Sequence, residues 1–141
     1  MTYPRFTAPD AKSLVVDDFS INIRLIKELV GPYGIKTYAS LSGARAVEMV
    51  QRERYDLVFM DVMMPEMDGL ETVSRIRALG DGDAAEYFRR LPIVLLSANK
   101  VEGPLAELGV SGFMVKPIVV AGLFDILEKL LPSEKILPVV D

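Results

Sequence analysis

Four short apolar runs in this chain each end, on their C-terminal side, in polar residues. Ser13-Leu14-Val15-Val16 leads into Asp17-Asp18, and Leu57-Val58-Phe59-Met60 into Asp61. Ile93-Val94-Leu95-Leu96 leads into Ser97, and Gly112-Phe113-Met114-Val115 into Lys116-Pro117. Apolar runs of this length predict strands covered on both faces. Ile35-Lys36-Thr37-Tyr38-Ala39 alternates and is more polar, which predicts an edge strand. Between the runs the period lengthens to that of helices. Asn22, Leu25, Ile26, Leu29 and Val30 mark a first helix stopped by Gly31-Pro32. Leu41, Ala44, Val47 and Val50 mark a second, with Ser40 or Ser42 as its cap. Leu70, Val73 and Ile76 mark a third, after the loop Val62 to Gly69. The stretch Leu79 to Arg90 is polar and broken by glycine, and predicts an extended surface connection. Between Ser97 and Gly112 there is room only for a short helix, about Val101 to Leu108, disturbed by Gly103-Pro104. Val120, Leu123, Phe124, Leu127, Leu130 and Leu131 form the cleanest amphipathic stripe, closed by Pro132. Residues 1–11 carry two prolines and no periodicity, so they read as a lead-in; residues 12–131 form one domain, and 132–141 a tail.

Strand and helix alternating five times predict a (βα)₅ unit with a parallel sheet and right-handed crossovers. Ligands of such sheets bind in the crevice outside the carboxyl ends of the strands. There the pattern gathers Asp17, Asp18, Asp61, the Ser97 hydroxyl and the Lys116 ammonium. Crowded carboxylates repel unless a hard cation lies between them, and oxygen ligands of this kind point to Mg²⁺. The 141 residues suffice for a single core, and a composition 50% hydrophobic and 26% charged is that of a compact protein. A net charge of −4 offers nothing to a nucleic-acid backbone. The chain has no cysteine, which excludes disulfides and thiolate metal sites, and no histidine. Any phosphohistidine in its chemistry therefore belongs to another protein or domain. No apolar stretch approaches about 18 residues, so neither a membrane span nor membrane contact by this domain is expected, and the lack of cysteine is compatible with the cytoplasmic location expected.

The ordered landmarks, Leu14-Val15-Val16-Asp17-Asp18, Met60-Asp61 through Asp68-Gly69, Ser97-Ala98 and Lys116-Pro117, resemble the receiver domain of two-component response regulators. The resemblance runs from about Lys12 to Leu131. The flanks Phe6 to Ala11 and Leu131 to Lys135 resemble those of receivers inside bacterial hybrid sensor histidine kinases, which favours a receiver cut from a larger kinase over a free-standing regulator. The resemblance implies a flavodoxin-like α/β three-layer sandwich with a five-stranded parallel sheet in the order 2-1-3-4-5. It implies that Asp61 accepts a phosphoryl group from a histidine kinase or histidine phosphotransfer domain. Mg²⁺ is then held by Asp18, Asp61 and the backbone carbonyl of Met63, with Asp17 acting through water. Ser97 and Lys116 contact the phosphoryl oxygens, and Phe113 changes rotamer as Ser97 moves. Pro117 matches a position where the peptide bond is cis. The resemblance further implies that the domain catalyses its own phosphorylation and dephosphorylation and switches conformation, and it allows a weak homodimer.

Each residue also has an ordinary reading. Asp61 can be a turn aspartate, Asp18 a cap for the helix starting near Phe19 or Ser20, Ser97 a strand-end serine, Lys116 an exposed lysine, and Phe113 a core residue. Met60, Met63, Met64 and Met67 read as packing, since thioethers do not choose Mg²⁺. Three rival functions follow from the same landmarks. An aspartyl-nucleophile phosphohydrolase of the haloacid-dehalogenase type wants a second aspartate two residues on, where Met63 stands. A receiver-like interaction module that is never phosphorylated is not suggested, because every charged site residue is present. A nucleotide-binding flavodoxin-like protein shares only the fold, and no Gly-x-x-x-x-Gly-Lys-Ser/Thr loop exists here. Two departures stand out: the Ser97-to-Lys116 interval is shorter than usual for the family, at the fourth helix, and the connection after Leu79 is longer. The fourth helix, fifth strand and fifth helix commonly carry output or dimer contacts, so both inferences weaken here. Met63 and Asn99 occupy positions that tune hydrolysis of the acyl phosphate; methionine cannot activate water, so a long-lived phosphorylated form is expected.

Overall fold

In the computed structural model, which describes residues 5–99 and 103–139, the apolar runs lie side by side in one parallel sheet. Along the chain the elements are β1 (Phe6–Thr7), β2 (Lys12–Val16), α1 (Ser20–Val30), β3 (Lys36–Ser40), α2 (Gly43–Arg52), β4 (Leu57–Asp61) and α3 (Gly69–Arg77). They continue as α4 (Asp83–Arg90), β5 (Ile93–Ser97), α5 (Leu105–Leu108), β6 (Gly112–Val115), α6 (Val120–Leu130) and β7 (Leu137–Pro138). The five-stranded sheet has the order β3-β2-β4-β5-β6, which is the order 2-1-3-4-5 once the terminal strands are set aside. The alternating strand β3 is an edge, as its polarity predicts.

Side chains of successive strand residues point to opposite faces, and the two cores follow that alternation. Val15, Phe59, Val94 and Leu96 pack with Ile23 and Ile26 of α1 and Leu123 and Leu127 of α6. Leu14, Val16, Val58, Met60 and Leu95 pack with Ala46 and Val50 of α2, Val73 and Ile76 of α3, and Phe88 of α4. The result is helix, sheet, helix in three layers. A fully buried side chain such as Phe59 contributes roughly 1.5–3 kcal/mol by its removal from water. Ser42 caps α2, its hydroxyl accepting the Arg45 N–H at 3.1 Å, and Asp68 caps α3 by accepting the Glu71 N–H at 2.8 Å. α1 ends at Val30, and Gly31–Tyr33 continue as a 3₁₀ turn rather than stopping outright.

Three expectations are corrected. The stretch Leu79 to Arg90 is not an extended connection: Asp83–Arg90 is helical and buries Ala85 and Phe88. Gly80 and Gly82, read as breakers, supply the left-handed turn before it, at φ 76° and 58°. The residues read as lead-in and tail are joined to each other: β1 and β7 pair antiparallel, Phe6 with Pro138 and Thr7 with Leu137. Phe6 is 3% exposed and meets the rings of Tyr33 and Phe124 at 5.0 and 5.7 Å. Lys135 adds an ion pair to Asp56 at 3.0 Å, and Asp56 also accepts the Lys12 N–H. Pairing between the two ends of a chain has no local sequence signal. The short helix after Ser97 is only Leu105–Leu108, with Pro104 before it as N-cap; Val101, where it was expected to start, lies outside the described residues.

Candidate functional site

Parallel register brings the strand ends together: Val16 lies opposite Met60, Asp61 opposite Leu96, and Ser97 opposite Val115. Asp17 and Asp18 follow β2, and Asp61 closes β4. Asp17, Asp18 and Asp61 each offer a carboxylate oxygen, all within 4.8 Å of one another. The Lys116 ammonium donates to Asp61 Oδ1 at 3.0 Å and stands 3.6 Å from Asp17 Oδ2. Asp17 is wholly buried, Asp61 is 5% exposed and Asp18 is exposed. Lys116 is held by its own backbone, whose N–H donates to the Ser97 carbonyl at 2.8 Å, and the Lys116–Pro117 bond is cis.

The two adjacent aspartates do different things. Asp17 Oδ1 accepts the Phe19 N–H at 2.9 Å and so shapes the entry to α1. Its Oδ2 is buried and has no hydrogen-bond partner among the described residues. Asp18 does not cap α1; Phe19 is the cap residue, and no side chain bonds there. A buried carboxylate oxygen lacking a donor is costly in isolation. Its neighbours here are an ammonium, a second buried carboxylate and a solvent-facing third. That donor set is all hard oxygen with an open side, which fits Mg²⁺.

Ser97 sits at the end of β5 with its hydroxyl accepting the Asn99 N–H at 3.2 Å. Phe113 is half-buried against the core that Leu95 and Val73 share. Met60 and Met64 are buried packing residues, whereas Met63 is 78% exposed beside Asp61. A groove of about 300 Å³ opens next to Lys116, lined by Asn22, Leu25, Ile26, Leu96, Pro117 and Ile118.

Gly69 belongs to the site although the sequence assigns it no role. A Cβ there would collide with the Asp61 carbonyl oxygen and stand 3.0 Å from the Asp61 carbonyl carbon and from Val62 Cα. Its N–H donates to the Val62 carbonyl at 2.9 Å. In the sequence it shows only as the last residue of the landmark from Met60 to Gly69, directly after a capping aspartate.

Burial raises the Asp61 pKa above its ordinary value, opposed by the hydrogen bond from Lys116 and reinforced by the charge of Asp17. A carboxyl whose folded pKa exceeds its unfolded one favours the fold below that range. Its contribution is lost as pH rises from the ordinary carboxylate value through the raised one. Burial of the charged carboxylate thus favours Asp61→Asn over wild type in the metal-free protein at neutral pH, by a margin that shrinks on acidification. Urea unfolding at neutral and mildly acidic pH measures it. A gain that fails to shrink on acidification, or a loss of stability at neutral pH, contradicts the assignment.

Residues 13–137 match the model of the response regulator receiver domain. The chain belongs to the response regulator receiver domain family. Receivers are the phosphoacceptor switches of two-component phosphorelay signalling. This receiver is 36% identical over 118 residues to the sensor protein GacS of Pseudomonas syringae pv. syringae, covering 82% of the chain and 13% of GacS. It is 32% identical over 123 residues to chemotaxis protein CheY-3 of Vibrio cholerae, covering 84% of the chain and 90% of CheY-3. The receiver domain of sensor histidine kinase PA1611 from Pseudomonas aeruginosa PAO1, solved with a magnesium ion coordinated in its active-site cleft, superposes with a TM-score of 0.73. That match is 30% identical and covers 85% of this chain and 96% of that one. Vibrio cholerae CheY4 superposes with a TM-score of 0.73 at 26% identity, over 86% of this chain and 98% of that one. The receiver thus spans a small fraction of its kinase relatives and nearly the whole of its chemotaxis relatives.

Proposed function

We propose that Asp61 is the phosphoacceptor and that the donor is a phosphohistidine on a histidine kinase or histidine phosphotransfer domain. One observation carries this reading: a nearly buried carboxylate at a strand end, engaged by an ammonium and flanked by two more carboxylates. An Asp61 oxygen attacks phosphorus, the bond from phosphorus to the imidazole nitrogen breaks, and the imidazole leaves with that electron pair. The donor histidine comes from elsewhere, since this chain has none. Asp18, Asp61 and the Met63 carbonyl would hold Mg²⁺, with Asp17 contributing through water. When bound, the ion offsets repulsion between the carboxylates and the incoming phosphoryl oxygens. Lys116 offsets a second share of that charge, and Ser97 turns its hydroxyl from the Asn99 N–H toward a phosphoryl oxygen. Phe113, half-buried beside β5, follows Ser97 and carries the change outward. Added charge at Asp61 then biases an equilibrium between two arrangements of the domain. The net negative charge gives no grip on nucleic acid, and no helix among the described residues is long and apolar enough to cross a membrane.

Incubation with Mg²⁺ and a small acyl phosphate or phosphoramidate, followed by intact mass measurement, tests the assignment. Wild type is expected to gain one phosphoryl group, and Asp61→Asn none, with the same circular dichroism spectrum. Labelling of the asparagine variant removes Asp61 as acceptor. No labelling of wild type favours an interaction module, and steady release of phosphate from a phosphomonoester favours a phosphohydrolase.

A further inference from the structure

Arg77, in the last turn of α3, holds two other helices at once. Its Nε donates to the carbonyl of Gly109 and its Nη1 to that of Phe88, each at 2.8 Å. Gly109 ends α5 in a left-handed conformation, φ 78°, and Phe88 lies in the last turn of α4. End carbonyls of helices lack intrahelical donors and carry the negative end of the helix dipole. A single guanidinium satisfies one from each helix. No carboxylate pairs with Arg77 among the described residues.

α5 has little else to hold it, whereas α4 is also seated by Phe88 in the core and by the Tyr87 hydroxyl, which accepts the Tyr55 N–H at 2.7 Å. α5 is four residues long, with no buried residue and no side-chain cap, far below the length at which a helix persists alone. α4 also lacks a side-chain cap. The Arg77 stem forms the seat of the Gly109 turn: a Cβ on Gly109 would stand 3.4 Å from Arg77 Cγ and 3.3 Å from Val73 Cγ1. Each gripped carbonyl lies just upstream of a strand, Phe88 before β5 and Gly109 before β6. Those strands end in Ser97 and lead to Lys116.

We propose that Arg77 couples α4 to α5 energetically, so that displacement of either helix is felt by the other. The coupling is independent of the receiver chemistry above and is tested without phosphorylation. A lysine cannot replace the planar fork that reaches two carbonyls together.

Native-state hydrogen exchange on the full chain reads the coupling. The Leu91 N–H, bonded to the Tyr87 carbonyl, reports α4; those of Gly109 and Val110, bonded to Ala106 and Leu105, report α5. Glu86→Gly, at an exposed position in α4, is expected to raise exchange at Leu91 by about threefold to fivefold. Through Arg77, exchange at Gly109 and Val110 is expected to rise roughly twofold or more, while β2 and β4 amides stay unchanged. In Arg77→Gln and Arg77→Lys backgrounds the same change in α4 is expected to leave the α5 amides unmoved. The lysine variant keeps the charge and guards against loss of the fold. Indifference of α5 to Glu86→Gly when Arg77 is present overturns the proposal. So does an equal response when Arg77 is replaced.

Discussion

Lys116→Met slows phosphoryl uptake from a small donor by about 10²–10³-fold at saturating Mg²⁺, the cost of deleting one preorganised group that meets developing charge. Methionine keeps the apolar stem, so the backbone bond from Lys116 to the Ser97 carbonyl survives and the strand end is not displaced. What disappears is an ammonium 3.0 Å from Asp61 Oδ1 and 3.6 Å from Asp17 Oδ2. That ammonium neutralises the same carboxylates that a divalent ion would, so the two cations compete. The variant is accordingly expected to bind Mg²⁺ more tightly than wild type while transferring phosphate more slowly. Opposite signs in the two measurements separate loss of a charge from general damage to the site. Titration by intrinsic or calorimetric signal gives the affinity, and a mass time course gives the rate. Weaker Mg²⁺ binding together with unchanged uptake removes Lys116 from its assigned role.

Gly69→Ala costs about 2–3 kcal/mol of stability, as overpacking does where the neighbours are backbone. The added methyl would enter the space of the Asp61 carbonyl oxygen, and neither the end of β4 nor the start of α3 can move alone. The Gly69 N–H is bonded to the Val62 carbonyl, and Asp68 caps the same helix end. Relief therefore shifts Asp61 itself, so Mg²⁺ affinity and phosphoryl uptake fall along with the unfolding midpoint. Gly122→Ala is the control: inside α6, a Cβ there meets only Val119 Cγ2 at 3.5 Å and Met114 Cε at 3.7 Å, ordinary packing distances. Its expected change is a small gain, about 0.4–1 kcal/mol, from a less flexible unfolded chain. Urea unfolding of both variants makes the comparison, and equal effects would show that contact at Gly69 is not what matters.

Much of this site was legible because strand periodicity and strand ends are local properties. Val15-Val16-Asp17-Asp18 and Phe59-Met60-Asp61 announce both a buried strand and the polar residues that terminate it, and parallel pairing then leaves those termini on one edge. The edge strand β3 was legible for the same reason, through the alternation of Lys36, Thr37 and Tyr38. The helix α4 was not. Gly80, Gly82 and the charges of Asp81, Asp83, Arg89 and Arg90 mask Ala85 and Phe88, which folding buries, Phe88 in one core with Ile93 and Leu95.

Sequence alone determined the alternation of strand and helix, the sheet edge where the acids gather, and the residue types available for chemistry. Tertiary structure decided which acid is buried and which is exposed, that Lys116 bridges Asp17 and Asp61, that β1 pairs with β7, and that Gly69 must lack a side chain. The division has a physical basis. Periodicity and capping depend on residues a few positions apart, whereas burial, ion pairing and steric exclusion depend on atoms that only folding brings together, across separations such as the one from Asp17 to Lys116.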